Sequence, residues 1–479
     1  MIDTVSLRKK IIELALQGAL TPEVEKKEVD ALIESINKQR TEFLRKGIVK
    51  KWKVLSDIKK DELLFDIPMN WTVKRLGEIC LPMSDGIHYA PPYLEVGYPC
   101  FSAKDIYDDK IHLENCTYIS DEEYFGMKEK INVNEGCLLI TKSGSIGRSA
   151  IVEKYYEFGL VESIGVINPI VVKSAYLKAV LDYGFVYSNR FAEKYTRGVG
   201  LKHLTLTLLE NIPIPIPCLE IQEMIIEKIH DVFKVLDTID ELQKSYLSDV
   251  DVLKNNLIDA SIQGKLTEQL PEDGTAEELL VQIAEEKKQL IKEKKIKATK
   301  ALPEITEDEI PFEIPDNWKW TRLNDIGLWS AGATPSRRNM SYYSGCIPWV
   351  KTGELNNGVL KQTEEHISEL ALKECSVRLN PIGSVLIAMY GATIGKVSIL
   401  DIEATTNQAC CACIPYMGVH NKYLFYYLIS HKEDFISKSH GGAQPNISKD
   451  IIINELIPLP PYEEQTRIAD KLEELLGLI

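Results

Sequence analysis

No run of apolar residues in this 479-residue chain approaches the roughly 20 needed to span a bilayer as a helix. The opening stretch, MIDTVSLRKKIIELALQG, mixes its charges into an amphipathic pattern and holds no signal-peptide core. A cytoplasmic protein is therefore expected. Zinc-finger cysteine spacing is missing too. The ten cysteines form no two CxxC units, and the densest group, QACCAC (Cys410, Cys411, Cys413), is followed by no second ligand pair. It reads as a buried strand of small residues in a reduced protein. Excess positive charge is also lacking. A net charge of -15 excludes simple coating of nucleic acid by a basic surface, but leaves contact through local basic loops open.

Catalytic signatures are equally scarce. A DNA amino-methyltransferase needs Asn, Asp or Ser before Pro-Pro-aromatic, because that polar residue holds the target amino group. APPY (Ala90 to Tyr93) and LPPY (Leu459 to Tyr462) both lack it, and no Gly-rich cofactor loop accompanies them. GATIGKVS has three residues between its glycines where a phosphate loop has four, and Val397 where a Mg²⁺-binding Ser or Thr should stand. It reads as a tight strand-to-strand turn. HExxH and Gly-x-Ser-x-Gly are absent, and eight scattered histidines build no constellation. The chain by itself is not expected to be an enzyme; neither a catalytic nor a metal-binding residue is assigned.

What the chain has is repetition. ALQGALT around Gln17 returns as SIQGKLT around Gln263, a shift of 246. FDIPMNWTVKRLGEI (Phe65 to Ile79) returns as FEIPDNWKWTRLNDI (Phe312 to Ile326). GCLLITKSGSIGRSAIV (Gly136 to Val152) returns as GSVLIAMYGATIGKVSIL (Gly383 to Leu400), and NIPIPIPCLEIQEMI (Asn211 to Ile225) as ELIPLPPYEEQTRI (Glu455 to Ile468). Four blocks in one order mean two copies of one unit, consistent with a length too great for a single core.

Residues 218–264 read as one long helix. Ile225, Ile229, Val232, Leu236, Ile239, Leu242, Tyr246, Val250, Leu253 and Leu257 recur at spacings of three and four, a stripe suited to coiled-coil packing. Its second half repeats the N-terminus of the chain and its first half is repeated at the C-terminus. One copy of the helix is thus continuous and the other split, which places the two ends of the chain beside the central helix. Charged helices follow at Val24 to Lys46 and Thr275 to Lys300. Between them lie mixed segments with short apolar runs (CLLIT, SVLIAMY, VINPIVV) separated by Gly, Asn and Ser turns. The expected fold is α+β. Two mixed α/β heads (65–217 and 312–461) are joined by long antiparallel helical regions (1–64, 218–311 and 462–479) in a pseudo-two-fold repeat.

Two stretches are locally basic. TPSRRNMSYYSGCIPWVKTG (Thr334 to Gly353) carries Arg337, Arg338 and Lys351 with no acid; RFAEKYTRGVGLKH (Arg190 to His203) carries Arg190, Lys194, Arg197 and Lys202 against Glu193. Such residues on Gly-flanked loops suit phosphate oxygens and base edges.

The blocks GATPSRRNMSYYSGCIPWVKTGEL, GSVLIAMYGATIGKVSIL and IPLPPYEEQTRIADKLEELL, with YPCFSAKDI, LLITKSGSIGRSAIV and FDIPMNWTVKRLGEI in the first copy, resemble the specificity subunit of type I restriction-modification systems. The resemblance covers nearly the whole chain, including the split helix. It implies two target-recognition domains, each reading one half of a bipartite, asymmetric site in double-stranded DNA. The helices would set the spacing and dock two modification subunits, which use S-adenosylmethionine to methylate adenine. Restriction subunits using ATP and Mg²⁺ would cut unmethylated DNA, so the assembled complex, not this chain, would carry the enzymology. A system in which one partner both methylates and cuts fits equally well. A coiled-coil adaptor with two protein-binding heads is the alternative of another class, and predicts no sequence-dependent DNA binding.

The heads differ where readers should differ. Lys142-Ser143 stands opposite Met389-Tyr390, and GVGLKHLT opposite GGAQPNIS. The candidate DNA-contacting residues are Lys142, Ser143, Arg148, Arg197, Lys202 and His203 in the first head. In the second they are Thr334, Ser336, Arg337, Arg338, Lys351, Tyr390, Gln444 and Asn446.

Overall fold

The computed structural model describes residues 1–154, 157–198, 202–297, 302–440 and 445–479. It divides into two units, Met1–Lys244 and Ser245–Ile479. The division falls inside one helix, Leu219–Ile262, whose 44 residues make it about 66 Å long at 1.5 Å per residue.

The repeated Gln-Gly explains itself at the helix ends. After the N-terminal helix Thr4–Leu16, Gly18 takes φ +73°, and after the long helix Gly264 takes φ +70°. In each case the glycine and the next residue donate back to the last turn: Gly18 to Ala15 and Ala19 to Leu14, Gly264 to Ser261 and Lys265 to Ala260. This is the 6→1 and 5→2 helix stop that only glycine adopts without strain. A Cβ on Gly264 would lie 2.5 Å from Pro315 Cγ and 3.3 Å from Trp318 Cζ2; one on Gly18 would lie 3.0 Å from Pro68 Cγ and 3.3 Å from Trp71 Cζ2. The glycine thus both ends the helix and lets the Ile-Pro-x-Asn-Trp block close against it.

Each unit packs a matching pair of helix segments. In the first, Ile12, Ala15 and Leu16 of the N-terminal helix share a core with Ile221 and Ile225 at the start of the long helix. In the second, Ile258 and Ile262 at its end share a core with Ile468 and Leu472 of the C-terminal helix Tyr462–Leu476. The N-terminal helix lies directly on the first half of the long one, Thr4 donating to Asp240, and the C-terminal helix is tied to the segment just past the long helix's end, Thr267 and Gln269 donating to Glu464. At about 1.5–3 kcal/mol per fully buried aliphatic side chain, these ends anchor it. Arg8 adds ion pairs to Asp237 and Asp240, both at 2.8 Å.

The expected apolar stripe is not covered along its whole length. Ile225 and Leu236 are buried, but Leu242, Tyr246 and Leu253 are 64%, 59% and 45% exposed. Periodicity marks a helix face; it does not supply the partner that would cover it. The second charged helices are also shorter than expected, Lys26–Arg45 and Ala276–Lys292. The latter stops because Lys294 turns to φ +60° and Lys294 and Lys295 donate back to Ile291 and Leu290.

Both heads are built from small sheets. In the first, Ser84–Asp85, Ile164–Ile167, Leu138–Thr141 and Ser149–Ile151 make an antiparallel four-stranded sheet in that order. Beside it, Tyr98–Phe101 lies between Thr117–Ile119 and Gly159–Leu160. In the second, Gly327–Ala331, Cys410–Pro415, Val385–Ala388, Val397–Leu400 and Gly358–Leu360 make a five-stranded sheet, with Ile347–Val350 between His366–Ile367 and Thr405–Thr406. GSIGRS and GATIGKVS are turns joining adjacent antiparallel strands, with Gly144, Gly147, Gly391 and Gly395 at positive φ. Cys410, Cys411 and Cys413 lie buried in a strand, where burial pushes their thiols up, that of Cys411 to about 12.

The heads share buried polar ties as well. Arg75 donates to Glu62 and to the Asn211 and Ser56 carbonyls; Arg322 donates to Glu309 and to the Asn454 and Pro303 carbonyls. Gln222 accepts from Lys173 N and donates to the Pro217 carbonyl; Gln465 accepts from His420 N and donates to the Pro460 carbonyl. Buried polar groups stay cheap only when paired, and the duplication kept the partners along with the residues.

Candidate nucleic-acid interface

In the first head the turn after strand Leu138–Thr141 and the segment 197–203 are tied together. Arg197 and His203 exchange backbone hydrogen bonds at 2.9 and 2.8 Å, and Leu204 N donates to the Lys142 carbonyl at 2.8 Å. In the second head His440 and Asn446 exchange them at 2.9 Å each, and Ile447 N donates to the Met389 carbonyl at 2.9 Å. The same scaffold thus presents Lys142, Ser143, Arg197, Lys202 and His203 in one head, and Tyr390 and Asn446 in the other. The tips of both segments, with Gln444, lie outside the described residues.

Lys142, Ser143 and His203 line one open cleft of about 920 Å³, with Asp85, His88, Tyr89 and Glu162. Lys142 is not a free surface cation. Its side chain is 8% exposed and forms an ion pair with Asp85 Oδ2. Asp85 Oδ1 lies 3.2 Å from His88 Nε2, and His88 Nδ1 lies 3.5 Å from Glu162 Oε1. Arg197, Lys202 and His203 are exposed. Arg148 is exposed as well, but lines a separate cleft of about 270 Å³ beside Asp108, Asp109 and Asp182.

The second head's basic loop is partly neutralised. The Arg337 guanidinium lies over the rings of Tyr343 and Trp349, 4.3 and 5.2 Å from their centroids, and pairs with Glu365 at 2.6 Å. Lys351 pairs with Glu365 at 2.9 Å. The hydrogen bond from Lys351, with that from Arg337, holds the Glu365 carboxyl below the usual range, and the same contact raises the Lys351 ammonium. Thr334 donates to the Gln408 side chain. Ser336, Arg338 and Tyr390 are exposed. Sequence reasoning missed Asp85, His88, Glu162, Gln408 and Glu365. The available signal was the repeat itself, because Asp85, His88 and Glu162 stand opposite Ala331, Thr334 and Gln408 at the shift of 246.

Among the described residues no helix is long and apolar enough to cross a membrane, and no group of His, Cys, Asp and Glu is arranged to hold a metal ion.

The chain is similar to the type I restriction enzyme EcoAI specificity subunit of Escherichia coli, 27% identical over 98% of this chain and 88% of that protein. It is likewise similar to the EcoEI specificity subunit of Escherichia coli, 24% identical over the same shares. The type I restriction enzyme MjaIX specificity subunit of Methanocaldococcus jannaschii is 36% identical over 35% of this chain and 40% of its own length. Among solved structures, one described as "Structural basis underlying complex assembly and conformational transition of the type I R-M system" shares the fold, with TM-score 0.62 and 18% identity over 86% of this chain and 92% of that one. The family model for the type I restriction modification DNA specificity domain matches twice, at residues 68–245 and 315–479. Two matched copies of one domain, repeated loop scaffolds and a shared long helix have one reading: the chain belongs to the type I restriction modification DNA specificity family.

Proposed function

We propose that the two heads, 65–217 and 312–461, each read one half of a bipartite, asymmetric site in double-stranded DNA. The helical regions 1–64, 218–311 and 462–479 set the distance between the halves and dock two modification subunits. Those partners bind S-adenosylmethionine and methylate adenine; restriction subunits using ATP and Mg²⁺ complete the complex in the cytoplasm. This chain contributes recognition and no reacting group. The observation that carries the reading is the pair of equivalent loop scaffolds, tied by the same backbone hydrogen bonds in both heads and differing in the side chains presented. The partly exposed apolar stripe at Leu242, Tyr246 and Leu253 supports a role for the long helix in docking. The acidic total fits if the partners supply much of the phosphate grip.

The test is selection of DNA from a random pool by the complex of this chain with its modification subunit. A bipartite motif with an unread gap is expected. Binding without sequence preference would contradict the proposal and favour the adaptor alternative.

A further inference from the structure

The backbone register makes the first head's cleft and the matching place in the second head comparable residue by residue. Ile87 N donates to the Leu160 carbonyl at 3.0 Å and Ala333 N to the Thr406 carbonyl at 3.0 Å; Lys142 N donates to Ser163 and Met389 N to Ala409, at 2.7 and 2.8 Å. Asp85 therefore answers to Ala331, and Lys142 to Met389. His88 beside Glu162 answers to Thr334 beside Gln408. The first head has a chain of charged and ionisable groups, Lys142–Asp85–His88–Glu162, where the second has four uncharged side chains.

The fold does not need those charges. Replacing a desolvated ion pair by apolar side chains is commonly neutral or stabilising, and the second head does so at the same place, with Met389 3% exposed. The Lys142–Asp85 pair is thus left with work other than packing. Lys142 takes one carboxylate oxygen of Asp85; the other faces His88 at the cleft, and an ionised carboxylate has acceptor sites to spare. Beside Glu162, such a carboxylate repels phosphate and accepts from a hydrogen-bond donor. The donor that DNA offers to a reading side chain is the exocyclic amino group of a base, cytosine N4 or adenine N6 in the major groove.

Resting on the reading of this chain as a two-headed DNA reader, we infer that Asp85 is a specificity-determining acceptor for a base amino group in the first half-site, with Lys142 its positioning residue rather than a phosphate contact. The second head, with Ala331 and Met389 at these places, reads its half-site without that acceptor.

The experiment maps methylated adenines in cells that carry the modification subunit and either the natural chain or a variant. Asp85→Asn should relax or switch one position of one half-site, with discrimination there falling roughly tenfold or more, and leave the other half-site intact. The double variant Asp85→Ala, Lys142→Met gives the first cleft the second's pair; it should fold, retain the second half-site and lose the same position. Lys142→Met alone should lose that position and Lys142→Arg should keep it. An unchanged motif with Asp85→Asn overturns the assignment. So does a uniform drop in methylation with an unchanged motif for Lys142→Met, the behaviour of a phosphate contact. Loss of both half-sites in the double variant would contradict the claim that the fold does not need the charges. No bipartite motif with the natural chain would overturn the two-headed reading itself.

Discussion

Arg322 grips Glu309 through a single guanidinium nitrogen, at 2.9 and 3.1 Å to the two carboxylate oxygens, while another nitrogen donates to the Asn454 carbonyl at 2.9 Å. Arg75 makes the matching ties to Glu62 and Asn211 in the first head. In each head the arginine pins the incoming linker to the turn just before a strand, Pro213–Ile216 in the first and Leu456–Leu459 in the second. Arg322→Met removes a side chain that is 8% exposed while Glu309, which is exposed, returns to water, so the cost is about 1 kcal/mol, the order of the hydrogen bonds lost. The midpoint of urea unfolding of the variant checks it, and Arg75→Met should behave alike.

The helix stops give a graded pair. Gly18→Ala and Gly264→Ala each force a side chain into left-handed backbone, a cost of about 1–3 kcal/mol. The Cβ would meet Pro315 Cγ at 2.5 Å in the second unit but Pro68 Cγ at 3.0 Å in the first. Gly264→Ala should therefore lower the thermal midpoint more than Gly18→Ala. Equal shifts would mean that the proline yields freely.

Stability should depend on pH through the second head. Burial pushes the His431 imidazole below its usual 6.5, against the opposing pull of the Tyr427 carbonyl, Asp434 and Glu455; burial lowers His420 in the same way. Between the depressed folded value and 6.5 the unfolded chain binds the proton more readily, so stability rises with pH in that window. It is fully present above 6.5 and lost as pH falls through the folded value. Unfolding midpoints at pH 7.5 and 5.5 should show the fall, and His431→Gln should reduce it.

Lengthening the long helix by one heptad near Val250 adds about 10 Å of rise, equivalent to roughly three base pairs at 3.4 Å each. Mapping of the methylated motif should show a wider unread gap and unchanged half-sites. An altered half-site with an unchanged gap would sink the role of the helix as a ruler.

The duplication was legible because it is local text: Gln17-Gly18 and Gln263-Gly264 carry a helix stop whose chemistry allows little else. The long helix was legible from spacing, but the exposure of Leu242 and Tyr246 was not, since a period says which face is apolar and not what meets it. The candidate interface was half legible. Lys142, Ser143 and His203 stood out by differing between the copies, but the partner of Lys142, Asp85, is 57 residues away and did not. Arg337 and Lys351 likewise have a carboxylate partner, Glu365, that lies beyond the basic stretch that drew attention to them. Ion pairs between distant segments leave no mark in local charge.

The most direct test is a genome-wide map of methylated adenines in cells carrying the modification subunit, with and without this chain. A bipartite, asymmetric motif present only with the chain is the predicted result. No new motif, with the complex shown to assemble, would contradict the account and reduce the loops of both heads to surface.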